Sequence, residues 1–341
     1  MTRAFVCGCL GTTLTADEKA FLRDAEPLGV ILFGVVGGVL RNIESPAQVY
    51  ALTSEIRATL GRDVLILVDQ EGGRVQRLRP PHWRRYPAAA SFSSIADPAA
   101  RARAIRLAAR LMAEDLLAVG IDVDCLPVLD VPVEGAHDVI GDRAYARDPI
   151  AVATLGRAAA EGMLDAGVLP VMKHLPGHGR AFADSHLALP VVEAPLAALE
   201  ASDFLPFERN ADLPAAMTGH VVYTALDAAR PATISPAVVQ GTIRRKIGFD
   251  GLLFSDDLSM KALPGTFREK AEGLFAAGVD VALHCNGVLA EAEAVAAVAP
   301  PVEGACATRL ARARAAMKRP RPDFDPVDAV AMLDRVLATT A

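Results

Sequence analysis

The chain has 341 residues, 52% of them hydrophobic and 22% charged, enough to bury a substantial core in one large domain or two ordinary ones. Lys and Arg number 35 against 41 Asp and Glu, a net charge of −6. That mildly acidic balance, with no long basic run, argues against nucleic acid or an anionic membrane surface as the main partner.

Short apolar runs of strand length recur along the chain: AFVCGCLG (4–11), GVILFG (29–34), VLILVDQ (64–70) and IDVDCLPVLDV (121–131). They continue with VLPVMKH (168–174), LPAAMTGHV (213–221), GLLFSDD (251–257) and VDVALHCN (279–286). Most are nearly continuous in Val, Ile and Leu, the composition of parallel strands covered on both faces. Cys7 and Cys9 fall in the first run, and no second paired-cysteine motif exists to complete a zinc site, so they read as part of a buried strand. With Cys125, Cys285 and Cys306 they form an odd, scattered set without a secretory signal, which predicts reduced thiols in a cytoplasmic protein. No apolar stretch is long enough to span a membrane.

Helix starts separate these strands. Ser45-Pro46, Asp97-Pro98, Asp148-Pro149 and Ser235-Pro236 each set a capping side chain before a proline at the first helical position. Gly120, Gly167, Gly248 and Gly278 stand where the helices should stop, directly before the next strand. The repeated units predict a parallel α/β fold, a single (β/α)8 barrel of the TIM type. The expected layout is one catalytic domain over 1–341, with the barrel over about 4–300 and a helical extension over about 303–341. An open doubly wound sheet would want a glycine-rich phosphate turn after the first strand, and Gly11-Thr12-Thr13 is a poor match. The Pro/Arg-rich RLRPPHWRRYPAAA (77–90) reads as a long loop at the barrel mouth.

Polar side chains gather at the strand ends. Asp69, Asp130, His174, His220, Asp256 and Asn286 close apolar runs, and the C-terminal ends of barrel strands converge on one mouth. The stretch MKHLPGHGRAFADSH (172–186) adds Lys173, His178, Asp184 and His186. Metal hydrolysis fits poorly: Pro176 and Gly177 forbid the helix that would align His174 with His178, and no HExxH occurs. A Schiff base on Lys173 needs a lysine pKa depressed by burial, whereas neighbouring Asp and Arg would keep the lysine solvated or paired. An aspartate nucleophile with a separate proton donor suits the residues better, as in retaining glycoside hydrolysis. Histidine titrates near working pH without tuning, and Asp184 lies two residues from His186, so the two point the same way in an extended loop. Gly177 and Gly179 predict mobility around His178.

KHLPGHG (173–179) followed by DSH (184–186) resembles the signature of bacterial β-N-acetylhexosaminidases of glycoside hydrolase family 3. VDQEGGRVQRLR (68–79), VIGDRAYARDP (139–149), MTGHVVYTALD (217–227) and LLFSDDLSM (252–260) resemble the same family in the same order, over roughly residues 4–290. The resemblance implies Asp256 as nucleophile, His186 as acid/base and Asp184 as the residue that orients His186. It implies Asp69, Arg77, Arg143, Lys173 and His174 as the sugar contacts. Larger family members draw a carboxylic acid catalyst from a second domain; a chain of this length is expected to supply its acid/base from the barrel. Arg180 and Ala181 stand where many relatives carry Asp-Thr, with the spacing to DSH kept.

The implied activity is that of a retaining exo-β-N-acetylglucosaminidase acting through a covalent glycosyl-aspartate. Its implied substrates are peptidoglycan fragments, GlcNAc joined to anhydro-MurNAc with or without peptide. This is the cytoplasmic recycling branch of cell-wall biogenesis, tied to cell shape and division. No metal and no organic cofactor are expected, nor a nucleic-acid or membrane partner, and the enzyme is expected to be a monomer. A β-glucosidase or an N-acetylglucosaminide phosphorylase on the same scaffold is the alternative.

Overall fold

A computed structural model describes residues 1–181, 189–319 and 321–338. Eight parallel strands close a barrel in chain order: β1 (Arg3–Gly8), β2 (Pro27–Leu32), β3 (Leu65–Val68), β4 (Val123–Asp124), β5 (Leu169–Leu175), β6 (Ala215–Thr218), β7 (Leu252–Asp257) and β8 (Val281–His284). Strand β8 pairs back onto β1, with Cys7 opposite His284. Each strand overlaps one of the eight apolar runs of the sequence, with β1, β2 and β5 extending one or two residues beyond their runs, so the eight barrel strands were legible there.

The barrel interior is a packed core. Ile31, Leu67, Val123, Val171, Phe254 and Leu283 fill it with their neighbours, as bulky side chains from alternating strand positions do in this architecture. A second, larger layer lies between strands and helices. The alternation explains the near-continuous hydrophobicity of each strand, since both faces are buried.

Helices α1 (Ala16–Ala25), α2 (Pro46–Leu60), α3 (Pro98–Ala118) and α4 (Pro149–Ala166) make the first four crossovers. The Ser45, Asp97 and Asp148 side chains accept hydrogen bonds from first-turn backbone N–H groups, with proline at the first helical position in each case. Caps of this type are worth about 1 kcal/mol each. Gly167 and Gly278 end their helices at φ of 94° and 100°, a left-handed turn that a side chain would strain. The fifth crossover is a broken helical stretch over 196–208. The sixth, Ala237–Lys246, is wound as a π-helix behind Ser235, whose hydroxyl oxygen accepts from the Val238 N–H. Helices α5 (Phe267–Ala277) and α6 (Leu289–Ala296) complete the ring.

Two more helices follow, α7 (Gly304–Met317) and α8 (Pro326–Ala338). Leu310 and Ala313 of α7 join the interior cluster of the barrel, so this helix is part of the core and not an appendage. No described helix is long and apolar enough to cross a membrane.

Strand β4 is shorter than the run over 121–131 predicts. Pro127 has no N–H to give to a ladder, yet pairing with β5 continues past it: Lys173 donates its N–H to the Pro127 carbonyl at 2.9 Å, and Leu129 to the Lys173 carbonyl at 2.7 Å. That extension carries Asp130 to the level of the barrel mouth. Cys7 and Cys9 are buried in or just beyond β1, and burial pushes the Cys7 thiol up to about 12.

Candidate active site

The chain leaves β3 through a short antiparallel ribbon, Gln70–Gly72 against Val75–Gln76. The Gln70 amide oxygen accepts from the N–H groups of Arg77 and Leu78 at 2.9 and 3.0 Å, closing the ribbon from inside. This folds Asp69, Glu71 and Arg77 toward one point. Asp69 accepts from Lys173 Nζ at 2.9 Å and from Arg77 at 3.1 Å. Burial works against the Asp69 charge, but Lys173 and Arg77 hold its carboxyl well below the usual carboxylate range.

Glu71 sits deeper. It receives Nε and Nη2 of Arg143, each at 2.8 Å, and Lys173 Nζ at 2.7 Å. Burial opposes ionisation, yet Arg143 and Lys173 bring the Glu71 carboxyl down to about 2. Arg143 comes from a single turn, Gly141–Arg143, in the segment that follows β4. Lys173 is itself buried, and although burial disfavours its charge, Asp69 and Glu71 push its pKa well up. Held between the Asp69 and Glu71 carboxylates at 2.9 and 2.7 Å, Lys173 is placed as an ion-pair donor, which argues against a Schiff-base role.

Strand β5 delivers Lys173 and His174 together; the peptide bond between them is cis, and both side chains line the cleft. Behind His174 lies Asp130. Its Oδ2 is 2.6 Å from His174 Nδ1, and its Oδ1 accepts from the backbone N–H groups of His174 and His178 at 3.2 and 2.7 Å. Burial raises the Asp130 pKa, but the two histidines outweigh it and leave it at about 2. His178 is buried against His174, and burial lowers its pKa to about 4, with the neighbouring His174 adding to the effect.

The segment from His178 to Ala181 is tied to its neighbours by backbone hydrogen bonds. Gly179 gives its carbonyl to the Val133 N–H and Ala181 gives its own to the His137 N–H, at 3.2 and 2.9 Å. A Cβ on Gly179 would stand 2.0 Å from the Val131 carbonyl oxygen, so glycine is there for close backbone approach. Tyr223 donates its hydroxyl to the Gly177 carbonyl. Arg180 bonds the buried Asp203 at 2.6 Å, which gives the unusual residue at this position a partner on the crossover helix. Asp184 and His186, expected to carry the acid/base function, lie outside the described residues.

At the end of β7, Asp256 and Asp257 have different surroundings. Asp257 Oδ1 accepts from the N–H groups of Ser259 and Cys285 at 2.9 and 3.0 Å, and its Oδ2 from the Ser259 hydroxyl at 2.5 Å. Its carboxylate is spent on bracing two loops. Asp256 Oδ1 accepts from the Asp257 N–H at 2.8 Å, and the carboxylate lines the cleft.

Asp69, Arg77, Arg143, Lys173, His174 and Asp256 thus line one cleft of about 160 Å³ at the C-terminal ends of the strands. Apolar walls come from Phe33, Val75, Met217 and Met260. The cations Arg77, Arg143 and Lys173 are matched by Asp69, Glu71, Asp256 and Asp257, so the cleft is not built for a highly charged ligand. Of the strand-end residues, Asp130 stands behind His174, and His220 and Asn286 do not reach the cleft either. His220 is buried behind β7, its Nε2 3.0 Å from the Asp257 carbonyl, and Asn286 turns to Glu291. His284 also faces away, against the Phe267 ring and Glu291. Among the described residues, no cluster of His, Cys, Asp and Glu side chains is placed to hold a metal ion.

Carboxylates and a buried histidine that accept or direct hydrogen bonds, cationic donors beside them and apolar walls for ring faces define a barrel enzyme that handles hydroxyl-rich, near-neutral ligands. The chain matches the glycosyl hydrolase family 3 N-terminal domain over residues 12–312 and belongs to that family. It is 44% identical to a β-hexosaminidase of Methylococcus capsulatus (strain Bath) over 281 residues, 81% of each chain. A β-hexosaminidase of Thioalkalivibrio sulfidiphilus is 42% identical over 308 residues, 89% of this chain and 86% of that one. The crystal structure of NagZ from Neisseria gonorrhoeae, in complex with N-trifluoroacetyl-D-glucosamine, superposes with a TM-score of 0.85 at 34% identity, covering 100% and 98% of the two chains. The protein is therefore a glycoside hydrolase of the β-hexosaminidase type.

Sequence reasoning missed the part played by Glu71. It lies in the quoted VDQEGGR stretch, but beyond the apolar run, and only the fold reveals that it joins Arg143 to Lys173. Asp130 was legible as a strand-end carboxylate, whereas its two-sided grip on His174 and His178 was not.

Proposed function

We propose that the protein is a retaining exo-β-N-acetylglucosaminidase. It removes non-reducing GlcNAc from peptidoglycan fragments, GlcNAc joined to anhydro-MurNAc with or without peptide, in cytoplasmic cell-wall recycling, and it acts as a monomer. Asp256 attacks the anomeric carbon while His186, oriented by Asp184, gives its proton to the departing oxygen. Water then gives a proton to His186 and its oxygen to the anomeric carbon, releasing the sugar and restoring the Asp256 carboxylate. Asp69 accepts from sugar hydroxyls, Arg77, Arg143 and Lys173 donate to sugar oxygens, and His174 makes a further contact.

The observation that carries this reading is the placement of Asp256 at the end of β7, where its carboxylate lines the sugar-sized cleft with Asp69, Arg77, Arg143 and Lys173, while Asp257, which also borders the cleft, braces Ser259 and Cys285. Relatives named β-hexosaminidase, and a neighbour solved with an N-acylated glucosamine, support the N-acetyl sugar as glycone.

The test compares hydrolysis of aryl β-N-acetylglucosaminide with aryl β-glucoside, each with and without phosphate. Strong preference for the N-acetyl sugar, unchanged by phosphate, is expected. Turnover of the glucoside would overturn the glycone, and a sugar phosphate product would overturn hydrolysis.

A further inference from the structure

His174 lines the cleft with a ring whose Nδ1 is already committed to Asp130 at 2.6 Å. Asp130 is fully buried, and its two oxygens have separate tasks. Oδ1 takes the backbone N–H groups of His174 and His178, and among the described residues the hydrogen-bond partner of Oδ2 is the His174 ring. A carboxylate has no proton to give, so the proton in the Oδ2–Nδ1 contact belongs to the ring. In neutral imidazole that leaves Nε2 with a lone pair. The other groups around the mouth make that lone pair useful. Arg77, Arg143 and Lys173 can only donate, and Glu71 is occupied by Arg143 and Lys173. A sugar brings hydroxyl protons as well as oxygens, and a lone pair on His174 adds an acceptor to the Asp69, Asp256 and Asp257 carboxylates that line the cleft.

We infer that Asp130 is a positioning residue that fixes His174 as the neutral Nδ1–H tautomer, so that Nε2 meets a substrate hydroxyl as a hydrogen-bond acceptor. The inference rests on the reading of His174 as a sugar contact. It assigns to a carboxylate outside the cleft the sense of a hydrogen bond inside it.

The substitution Asp130→Asn separates the two tasks. The amide oxygen still accepts from both backbone N–H groups, so the chain around His178 stays anchored. The amide NH2 faces Nδ1, which must then accept, and the ring proton moves to Nε2. The acceptor becomes a donor with hardly an atom displaced.

Three measurements test this. Nitrogen-15 NMR of the imidazoles should find the His174 proton on Nδ1 in the wild type and on Nε2 in Asp130→Asn. The kcat/KM of Asp130→Asn on aryl N-acetylglucosaminides should fall about 10- to 100-fold, the range seen when a group that orients a histidine is lost. The fall should be equal for good and poor leaving groups, because the contact is to the retained sugar. In a His174→Ala background, Asp130→Asn should cost less than about 2-fold, as expected when one residue acts through the other.

If Asp130→Asn costs the same factor in both backgrounds, Asp130 does not act through His174 and the inference fails, with the sugar contact intact. A wild-type spectrum with the proton on Nε2, or on both nitrogens at neutral pH, overturns it as well. If His174→Ala retains full kcat/KM, the contact reading itself falls, and the acceptor role with it.

Discussion

Glu71 and Arg143 meet as a fork, with Nε and Nη2 of the guanidinium each 2.8 Å from a different carboxylate oxygen. One of those oxygens is also 2.7 Å from Lys173 Nζ. The Glu71 and Lys173 side chains are 4% and 3% exposed, so these charges are out of water and depend on one another. A buried pair of this kind adds little net stability, because desolvation offsets attraction; what it secures is geometry. Arg143 and Lys173 are long side chains from different segments, the turn that follows β4 and strand β5, and Glu71 sets both before a sugar arrives.

Removing the Glu71 charge should therefore be costly in two ways. Glu71→Gln keeps the volume but leaves the buried Arg143 without its carboxylate and Lys173 with Asp69 alone, a loss of about 3–5 kcal/mol in urea denaturation. Its kcat/KM should fall more than about 10-fold, as two cations shift from their set positions. Unaltered stability and activity would mean that Glu71 holds neither Arg143 nor Lys173 in solution.

Asp257 offers the complementary case. Its hydrogen bonds to Ser259 and Cys285 are structural, so Asp257→Ala should lose about 1–3 kcal/mol and retain kcat within about 10-fold. Asp256→Ala should fold normally and lose turnover by more than about 1,000-fold. The reverse pattern in thermal melts and kinetics would move the nucleophile by one residue.

His178 leaves a pH signature on stability. Buried beside His174, with Asp130 and Asp256 as its acidic neighbours, it titrates at about 4 in the folded protein, where unfolded histidine titrates near 6.5. Between those values the unfolded chain binds the extra proton, so the stability His178 allows at neutral pH is lost as pH falls from about 6.5 to 4. His178→Gln removes that dependence. The stability difference between wild type and variant should shift against the wild type by up to about 3 kcal/mol from pH 7 to 4. Asp122 and Asp203, both pushed up to about 6 by burial, act in the opposite sense but are common to both proteins. A pH-independent difference in urea melts would contradict the buried, neutral His178.

Much of this was legible in the sequence for a physical reason. Strands buried on both faces write continuous apolar runs, and barrel closure brings their ends together, so Asp69, His174 and Asp256 could be placed at one mouth from the chain alone. The same rule overreached at His220 and Asn286, because a strand-end position does not say which way a side chain turns. Glu71 and the division of labour between Asp256 and Asp257 were illegible for the opposite reason. They depend on loops, the ribbon at Gln70–Gly72 and the turn at Ser259, whose paths are set by distant contacts such as Cys285 N–H to Asp257. The glycines around His178 read as freedom in the sequence, and at Gly179 serve tight packing against Val131.

The central claim is that Asp256 forms a covalent bond to the sugar. The most direct measurement is peptide mass spectrometry after incubation with a fluorinated N-acetylglucosaminide whose good leaving group lets the first step outrun the second. The account predicts one fluorosugar ester on the peptide carrying Asp256, and none in Asp256→Ala. A label on Asp257 or elsewhere, or steady consumption of the reagent with no adduct at any time, would contradict it.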